Sequence, residues 1–338
     1  MKIFALTFGG PDTPSTHFRI HQYAEAFAAE GVTIEHAVAK EFEDFKRLAD
    51  YDVVLHQKAL IRSSKFRRIR KHAKTLVYDA DDRMWMRPGK PYGPLTRARL
   101  QRRLKTIARA SDLCIAANGV IAADQSAAGA KRVEVLPMSV DTGAWNAEGR
   151  PEPDGTVTIG WSGSPGNLAF LEPLVPTLRA LEQEFEQVRI AIHCGQRPEF
   201  DGLEFTHHPF EPGLEPEAVR TFDVGLLPLP NDPFVAGKSP IKALQYFACG
   251  AAVVGQDVGA TAELLTQDVN ALTVTDERTW ATNLRRLVED GALRARLVAA
   301  GHEKIEREHT MSAVVARYLD LLHGAAGIPR TSAGAPRA

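Results

Sequence analysis

Short apolar runs alternate with segments of helical periodicity along nearly the whole chain, and that alternation restricts the fold more than any other feature. KIFALTF, VTIEHAV, DVVLHQ, TLVYDA, DLCIAA and VEVLPM supply six runs before residue 140, and VTIGWSG, VRIAIHCG, LEFTHH, DVGLLPL, AAVVGQ and ALTV supply six more beyond residue 156. Near-continuous apolar runs of this length suit strands buried on both faces, and intervening helices are what bury them. The first such helix shows in Ile20, Tyr23, Ala24 and Phe27 at i, i+3, i+4, i+7 spacing, closed by Gly31. Two parallel sheets, each covered by helices, are therefore expected.

Residues 141–156 have little periodicity and are rich in Gly and Pro, which marks them as a linker. Residues 1–140 then form an N-terminal domain, 157–308 a C-terminal domain, and 309–323 a final helix carrying Val315, Tyr318, Leu319 and Leu322 on one stripe and packing toward the N-terminal domain. Residues 324–338 lack periodicity and bulk and read as a disordered tail. At 338 residues with 44% apolar content, the chain can supply two cores.

Charge is divided unevenly. Residues 1–150 hold 25 Lys and Arg against 17 Asp and Glu, and residues 151–338 hold 16 against 25. Two acid-free stretches, 53–78 and 83–111, carry eight and nine basic residues. Such runs suit an anionic acceptor, a lipid-linked one included, or peripheral contact with a membrane through residues such as Arg67, Arg68, Arg70, Arg102 and Arg103; the competing reading is solvated helix faces. Nucleic-acid binding is not expected, because the basic run 62–74 carries a single aromatic residue, Phe66, rather than interleaved ones. No run approaches the ~20 apolar residues of a membrane span, and the opening MKIFALTFGGPD lacks the charged flank and cleavage site of a signal peptide. A soluble, cytoplasmic protein is expected. Cys114, Cys194 and Cys249 sit in apolar stretches without metal-ligand spacing, as reduced core thiols do.

In open parallel sheets, ligands bind beyond the carboxyl ends of strands. Gly9 and Gly10 follow the first strand, and their small size lets backbone approach a ligand. The turn Ser162-Gly163-Ser164 follows the seventh, where closely approaching amides could cradle a phosphate. In GKSPIKALQYFACG (237–250), Ser239 reads as a helix cap and Pro240 as first-turn residue, which sets Lys238 beside a dipole-positive end with Lys242 and Gln245 on one face. Two cations and an amide suit a diphosphate and a hydroxylated sugar. Asp79, Asp81 and Asp82 gather at another strand end, for a base, a polar substrate or a metal. GGPDTPS after the first strand is not the GxGxxG of a nicotinamide dehydrogenase.

DVGLLPL (223–229), GKSPIKALQYFACGAAVV (237–254), GATAELL (259–265) and NALTV (270–274), in that order, resemble the donor-binding half of the retaining GT-B glycosyltransferases of family 4, in a branch with a "GKxPxK" pattern. LPMSVDTGAW (136–145) is similar to the family's inter-domain passage, and the resemblance runs over about residues 1–323. It implies an α/β GT-B fold, two Rossmann-like doubly wound domains facing a central cleft, and transfer of a sugar from a nucleotide-diphosphate donor, the co-substrate, with no further cofactor and no metal required. It also implies donor contacts from Gly9, Gly10, Ser162, Gly163, Ser164, Lys238, Lys242, Gln245, Gly259, Ala260, Thr261 and Glu263, a phosphate or acceptor contact from Arg19, and catalytic roles for Asp81 and Asp82. Family 4 usually carries two glutamates seven residues apart; Lys238 and Gln245 stand there instead, and Asp81 replaces a strand-end histidine. A sugar-nucleotide-binding protein without transferase activity and a nucleotide-sugar 2-epimerase are the alternatives.

Overall fold

The computed structural model describes residues 1–330. It contains two six-stranded sheets, with every neighbouring pair of strands parallel. The first comprises β1 (Lys2–Thr7), β2 (Thr33–Val38), β3 (Val53–Gln57), β4 (Thr75–Ala80), β5 (Leu113–Ala116) and β6 (Val133–Val135), in the spatial order β2-β1-β3-β4-β5-β6. The second comprises β7 (Val157–Ser162), β8 (Val188–Cys194), β9 (Thr206–Pro209), β10 (Val224–Leu227), β11 (Ala252–Gln256) and β12 (Ala271–Val274), in the order β12-β11-β10-β7-β8-β9. All twelve expected strands are present.

Central strands are buried throughout, as in β3, β4, β5 and β10, whereas edge strands β2 and β9 are largely exposed. This is why the inner runs read as continuous hydrophobic stretches. In both sheets the strand order reverses direction once, between β1 and β3 in the first and between β7 and β10 in the second. At such a reversal the crossover helices leave on opposite faces and open a crevice at the carboxyl ends of the strands, which is where open α/β sheets bind ligands.

The described residues divide into two compact units: residues 1–138 with 232–239 and 311–330, and residues 139–231 with 240–310. The sequence reading kept 157–308 together. Residues 232–239 group with the first unit because the Arg83 guanidinium donates to the Pro233 carbonyl, the Gly89 N–H to Asp232 Oδ2 (3.1 Å), and Asn118 Nδ2 to the Gly237 carbonyl (3.0 Å).

The helix Met311–Ala326 is part of the first unit's core. Its Val314, Tyr318, Leu319 and Leu322 are sealed against Ile3, Tyr23, Phe27, Leu55 and Val77, and each such burial contributes about 1.5–3 kcal/mol. The helix runs past residue 323 because Ala325 and Ala326 pack on that core, and Gly327 at φ +66° ends it. Arg330 then bonds the Ala316 carbonyl, Asp320 and Glu30. The expected disordered tail is thus corrected for 324–330; its remainder, 331–338, lies outside the described residues.

Candidate functional site

At the reversal of the second sheet, the last residue of β7, Ser162, joins three elements. Lys242, on the helix Ile241–Ala248, donates to Ser162 Oγ at 3.1 Å, and Ser162 Oγ lies 2.9 Å from His193 Nδ1 near the end of β8. Burial, with Lys242 as a second cause, pushes His193 down to about 4, so its ring is neutral near pH 7. Ser162 Oγ accepts from Lys242, and the direction of its bond with Nδ1 follows the tautomer of the ring. Burial also pulls Lys242 down to about 8, against a smaller opposing effect of Glu215. The ammonium is still charged near neutrality and has two N–H groups beyond the one given to Ser162.

Two further atoms suit a ligand. Gln245 Oε1 and Thr261 Oγ1 are buried and have no hydrogen-bond partner. Buried polar atoms normally have one, and leaving one unmade costs about 1–3 kcal/mol. Thr261 lies in the short helix Ala260–Leu264, preceded by Gly259 at φ +52°, a conformation that costs a β-carbon-bearing residue strain. Ala260 is buried there and Glu263 is exposed.

The turn after β7 does not work as the sequence suggested. The Ser162 N–H donates to Tyr246 Oη (2.9 Å) and the Gly163 N–H to the His193 carbonyl (3.0 Å), so these two amides are unavailable to cradle a phosphate. Gly163 is required for another reason: a β-carbon there would stand 2.3 Å from the Trp161 ring. Exposed Ser164 accepts from Asn167 (3.1 Å). Nor does Ser239 cap the following helix; Pro240 holds the cap position, and no side chain hydrogen-bonds there because proline offers no polar atom. Lys238 is half-buried and belongs by its contacts to the first unit.

In the first unit the reversal between β1 and β3 is organised by Gln57. Its Oε1 accepts from the Phe8 N–H (3.0 Å) and Thr16 Oγ1 (3.1 Å), while its Nε2 donates to the Ser15 carbonyl (2.7 Å). These bonds fix the loop carrying Gly9 and Gly10; the Gly9 N–H donates to Thr16 Oγ1 at 3.4 Å, and a β-carbon on Gly10 would face open space. One residue beyond β3, Lys58 meets the acidic end of β4. Its Nζ donates to Asp82 Oδ2 at 2.9 Å and lies 3.3 Å from Asp81 Oδ1. Asp81 is buried, and burial, opposed by Lys58 and reinforced by Asp82, pushes its carboxyl up to about 6.

Arg19 does not face a ligand. Its side chain is 0% exposed, with Nε and Nη2 donating to the two oxygens of Asp79 (2.9 and 2.7 Å) and Nη1 to the Leu136 carbonyl (2.9 Å). Tyr318 adds a third bond to Asp79 at 2.9 Å. The expected phosphate or acceptor contact is corrected: this arginine stabilises the core. It also takes Asp79 out of the acidic cluster.

Sequence reasoning missed Lys58, His193 and Tyr246. Lys58 was one basic residue in a basic stretch, and the other two lay inside strand and helix patterns. The placement of Lys58 and His193 at strand ends, and of Tyr246 next to Gln245, was the available signal.

A family model described as glycosyl transferase-like matches residues 175–320. Comparison with curated proteins yields no match. Among solved structures, a sucrose-phosphate synthase from Thermosynechococcus elongatus superposes with a TM-score of 0.71 at 14% identity, over 96% of this chain and 98% of that one. HepE of Anabaena in complex with UDP-glucose gives 0.67 at 14%, over 96% and 100%. A glycosyltransferase from Rickettsia africae gives 0.68 at 8%, over 96% and 98%. The two parallel α/β units therefore form a GT-B-type fold.

Proposed function

We propose that the protein is a glycosyltransferase that moves a sugar from a nucleotide-diphosphate donor to an acceptor hydroxyl, with retention. The observation that carries this reading is the Lys242–Ser162–His193 chain at the second sheet's reversal, accompanied by the unpartnered Gln245 Oε1 and Thr261 Oγ1. A half-buried ammonium with two donors to spare suits a diphosphate, and lone acceptor atoms suit sugar and ribose hydroxyls. The binding of UDP-glucose by HepE, which shares the fold, supports the same donor class.

In this reading Lys242 and Lys238 neutralise charge developing on the leaving diphosphate, a role that requires no metal. Gln245 accepts from a ribose hydroxyl, and Thr261, with the backbone at Gly259 and Ala260, completes the donor contacts near Glu263. Gly9 and Gly10 permit close approach of backbone to the donor. Asp81 and Asp82 orient the acceptor hydroxyl; a carboxyl near 6 is matched to taking a proton at neutral pH.

The acceptor is anionic or lipid-linked. A groove of about 490 Å³ on the helix Pro94–Ala110 is lined by Gln101, Arg102, Lys105, Thr106 and Arg109, without an acidic residue. No helix among the described residues is long and apolar enough to cross a membrane, so membrane contact would be peripheral.

A thermal-shift screen of UDP-, GDP-, dTDP- and ADP-linked sugars tests the donor, since a ligand at 100 times its Kd stabilises by about 2.7 kcal/mol. Product analysis with donor alone and with acceptor follows. Stabilisation with transfer supports the reading, epimerised sugar without an acceptor supports a 2-epimerase, and stabilisation without turnover supports a binding protein. Silence toward all four donors refutes it.

A further inference from the structure

Lys58 occupies an uncommon position. It is the first residue after β3, beside the reversal of the first sheet, and its backbone lies at φ +31°, in the left-handed region that disfavours residues bearing a β-carbon. Its N–H donates to the Asp79 carbonyl at 2.7 Å, and the Ala59 N–H closes a tight turn onto the Gln57 carbonyl. Glycine or asparagine would meet that backbone requirement with less strain, so the turn alone does not account for a lysine.

The side chain is sealed as well, with 4% of the residue exposed. An ammonium has three N–H donors. One goes to Asp82 Oδ2 at 2.9 Å; Nζ also lies 3.3 Å from Asp81 Oδ1 as an ion pair, and the Phe8 ring lies 5.0 Å from Nζ. Asp81 Oδ1, in contrast, is buried and has no aligned hydrogen-bond donor despite its nearby cation.

We propose that Lys58 is a positioning residue, holding Asp81 and Asp82 as one unit so that Asp81 Oδ1 can accept the proton of an incoming acceptor hydroxyl. The proposal rests on the glycosyltransferase reading and extends it to a residue outside the recognised motifs. Four charged groups act on Asp81: Lys58 from the end of β3, Asp82 beside it, Arg19 from the helix Pro14–Arg19 and Asp79 from β4. Arg19 is already paired with Asp79, so Lys58 is the cation whose loss Asp81 would feel. Burial lowers the proton affinity of Lys58, but the two carboxylates outweigh it and hold the ammonium charged. Without that charge, burial and Asp82 would raise the Asp81 carboxyl further.

The test uses the full chain with Lys58→Met, which keeps an unbranched stem of similar length, and Lys58→Arg, which keeps the charge. Three measurements are made: kcat and KM against pH, donor Kd by calorimetry, and titration of the 13C-labelled aspartate carboxyls, with Asp81→Asn assigning the resonance. In Lys58→Met, the acid limb of kcat/KM should move up by about one pH unit or more, and kcat should fall at least tenfold further at pH 6.5 than at pH 8.5. Donor Kd should stay within twofold, and the Asp81 carboxyl should titrate higher. Lys58→Arg should restore the titration toward wild type. An Asp81 titration unchanged in Lys58→Met overturns the proposal, as does an equal loss of kcat at all pH values. If Lys58→Met does not fold, Lys58→Arg decides: an Asp81 titration moved away from wild type despite the retained charge, or a donor Kd raised tenfold, overturns it. If wild type transfers to no acceptor, the glycosyltransferase reading fails and the catalytic part of the proposal with it, while the carboxyl titration still decides whether Lys58 governs Asp81.

Discussion

Arg19 and Asp79 form a two-pronged ion pair with both side chains fully excluded from solvent, at 2.9 and 2.7 Å. Removing one member leaves the other charge buried without its counterion, which costs about 3–5 kcal/mol. Arg19→Met and Asp79→Leu should each lower stability by that amount in urea unfolding, and the double variant should recover at least half of the combined loss. Single variants costing under ~1 kcal/mol would show that the core adapts around a lone charge.

Lys242→Ala should weaken donor binding by about 1.5–3 kcal/mol, the scale of hydrogen bonds to charged groups, with the fold intact. Lys238→Ala should act similarly. Calorimetry that finds donor affinity unchanged in both variants would remove these lysines from the donor contacts.

The depressed proton affinity of Lys242 has two consequences with pH. Its value is about 8 in the folded protein against 10.5 for the free side chain, so the unfolded chain holds more protons between those values. The contribution of this group to stability therefore rises with pH across that window, and the burial penalty is fully present below pH 8. Donor affinity should run the other way, falling above pH 8 as the ammonium deprotonates. Donor Kd measured from pH 7 to 10 checks this, and a Kd flat to pH 10 would contradict it.

EDTA should leave transfer largely intact, because in the proposed reading Lys242 and Lys238 neutralise the diphosphate, and Asp79 is already committed to Arg19 and Tyr318. Loss of activity on chelation, restored by manganese, would assign a metal role to the acidic strand end instead.

The twelve strands were legible because a strand buried on both faces writes its environment into a contiguous run. The helix that carries Lys242 and Gln245 was legible for a similar reason: its periodicity survives in the sequence. The role of Arg19 was not. Its partners Asp79, Leu136 and Tyr318 are 60, 117 and 299 residues away, and only the sheet order brings them together. Lys58 was hidden in another way, since a basic stretch gives no sign of which lysine turns inward. The amides of Ser162 and Gly163 had a pattern that suits phosphate, but Tyr246 and His193 already occupy them.

Basic residues differ in how free they are to meet an anionic surface. Arg70 pairs with Asp112, Arg103 donates to the Leu60 carbonyl, and Arg68 lies over the Phe45 ring and near Glu43. Arg102, Lys105 and Arg109 line the open groove. If the acceptor is presented on an anionic membrane, each contributes about 1 kcal/mol, screened over ~10 Å at 0.1 M salt. In liposome flotation, changing these three to glutamine should weaken binding more than changing Arg67, Arg68, Arg70 and Arg103. Binding that ignores lipid charge and salt would refute the membrane docking.

The helix Met311–Ala326 closes the core begun by β1 and places the Tyr318 hydroxyl on Asp79, 239 residues earlier. During synthesis the first sheet therefore emerges without its last layer and without one of the three groups that satisfy its buried carboxylate. Residues 139–231 and 240–310 are made in the interval and have a core of their own. The core that β1 begins is therefore complete only once residues 139–310 have been made.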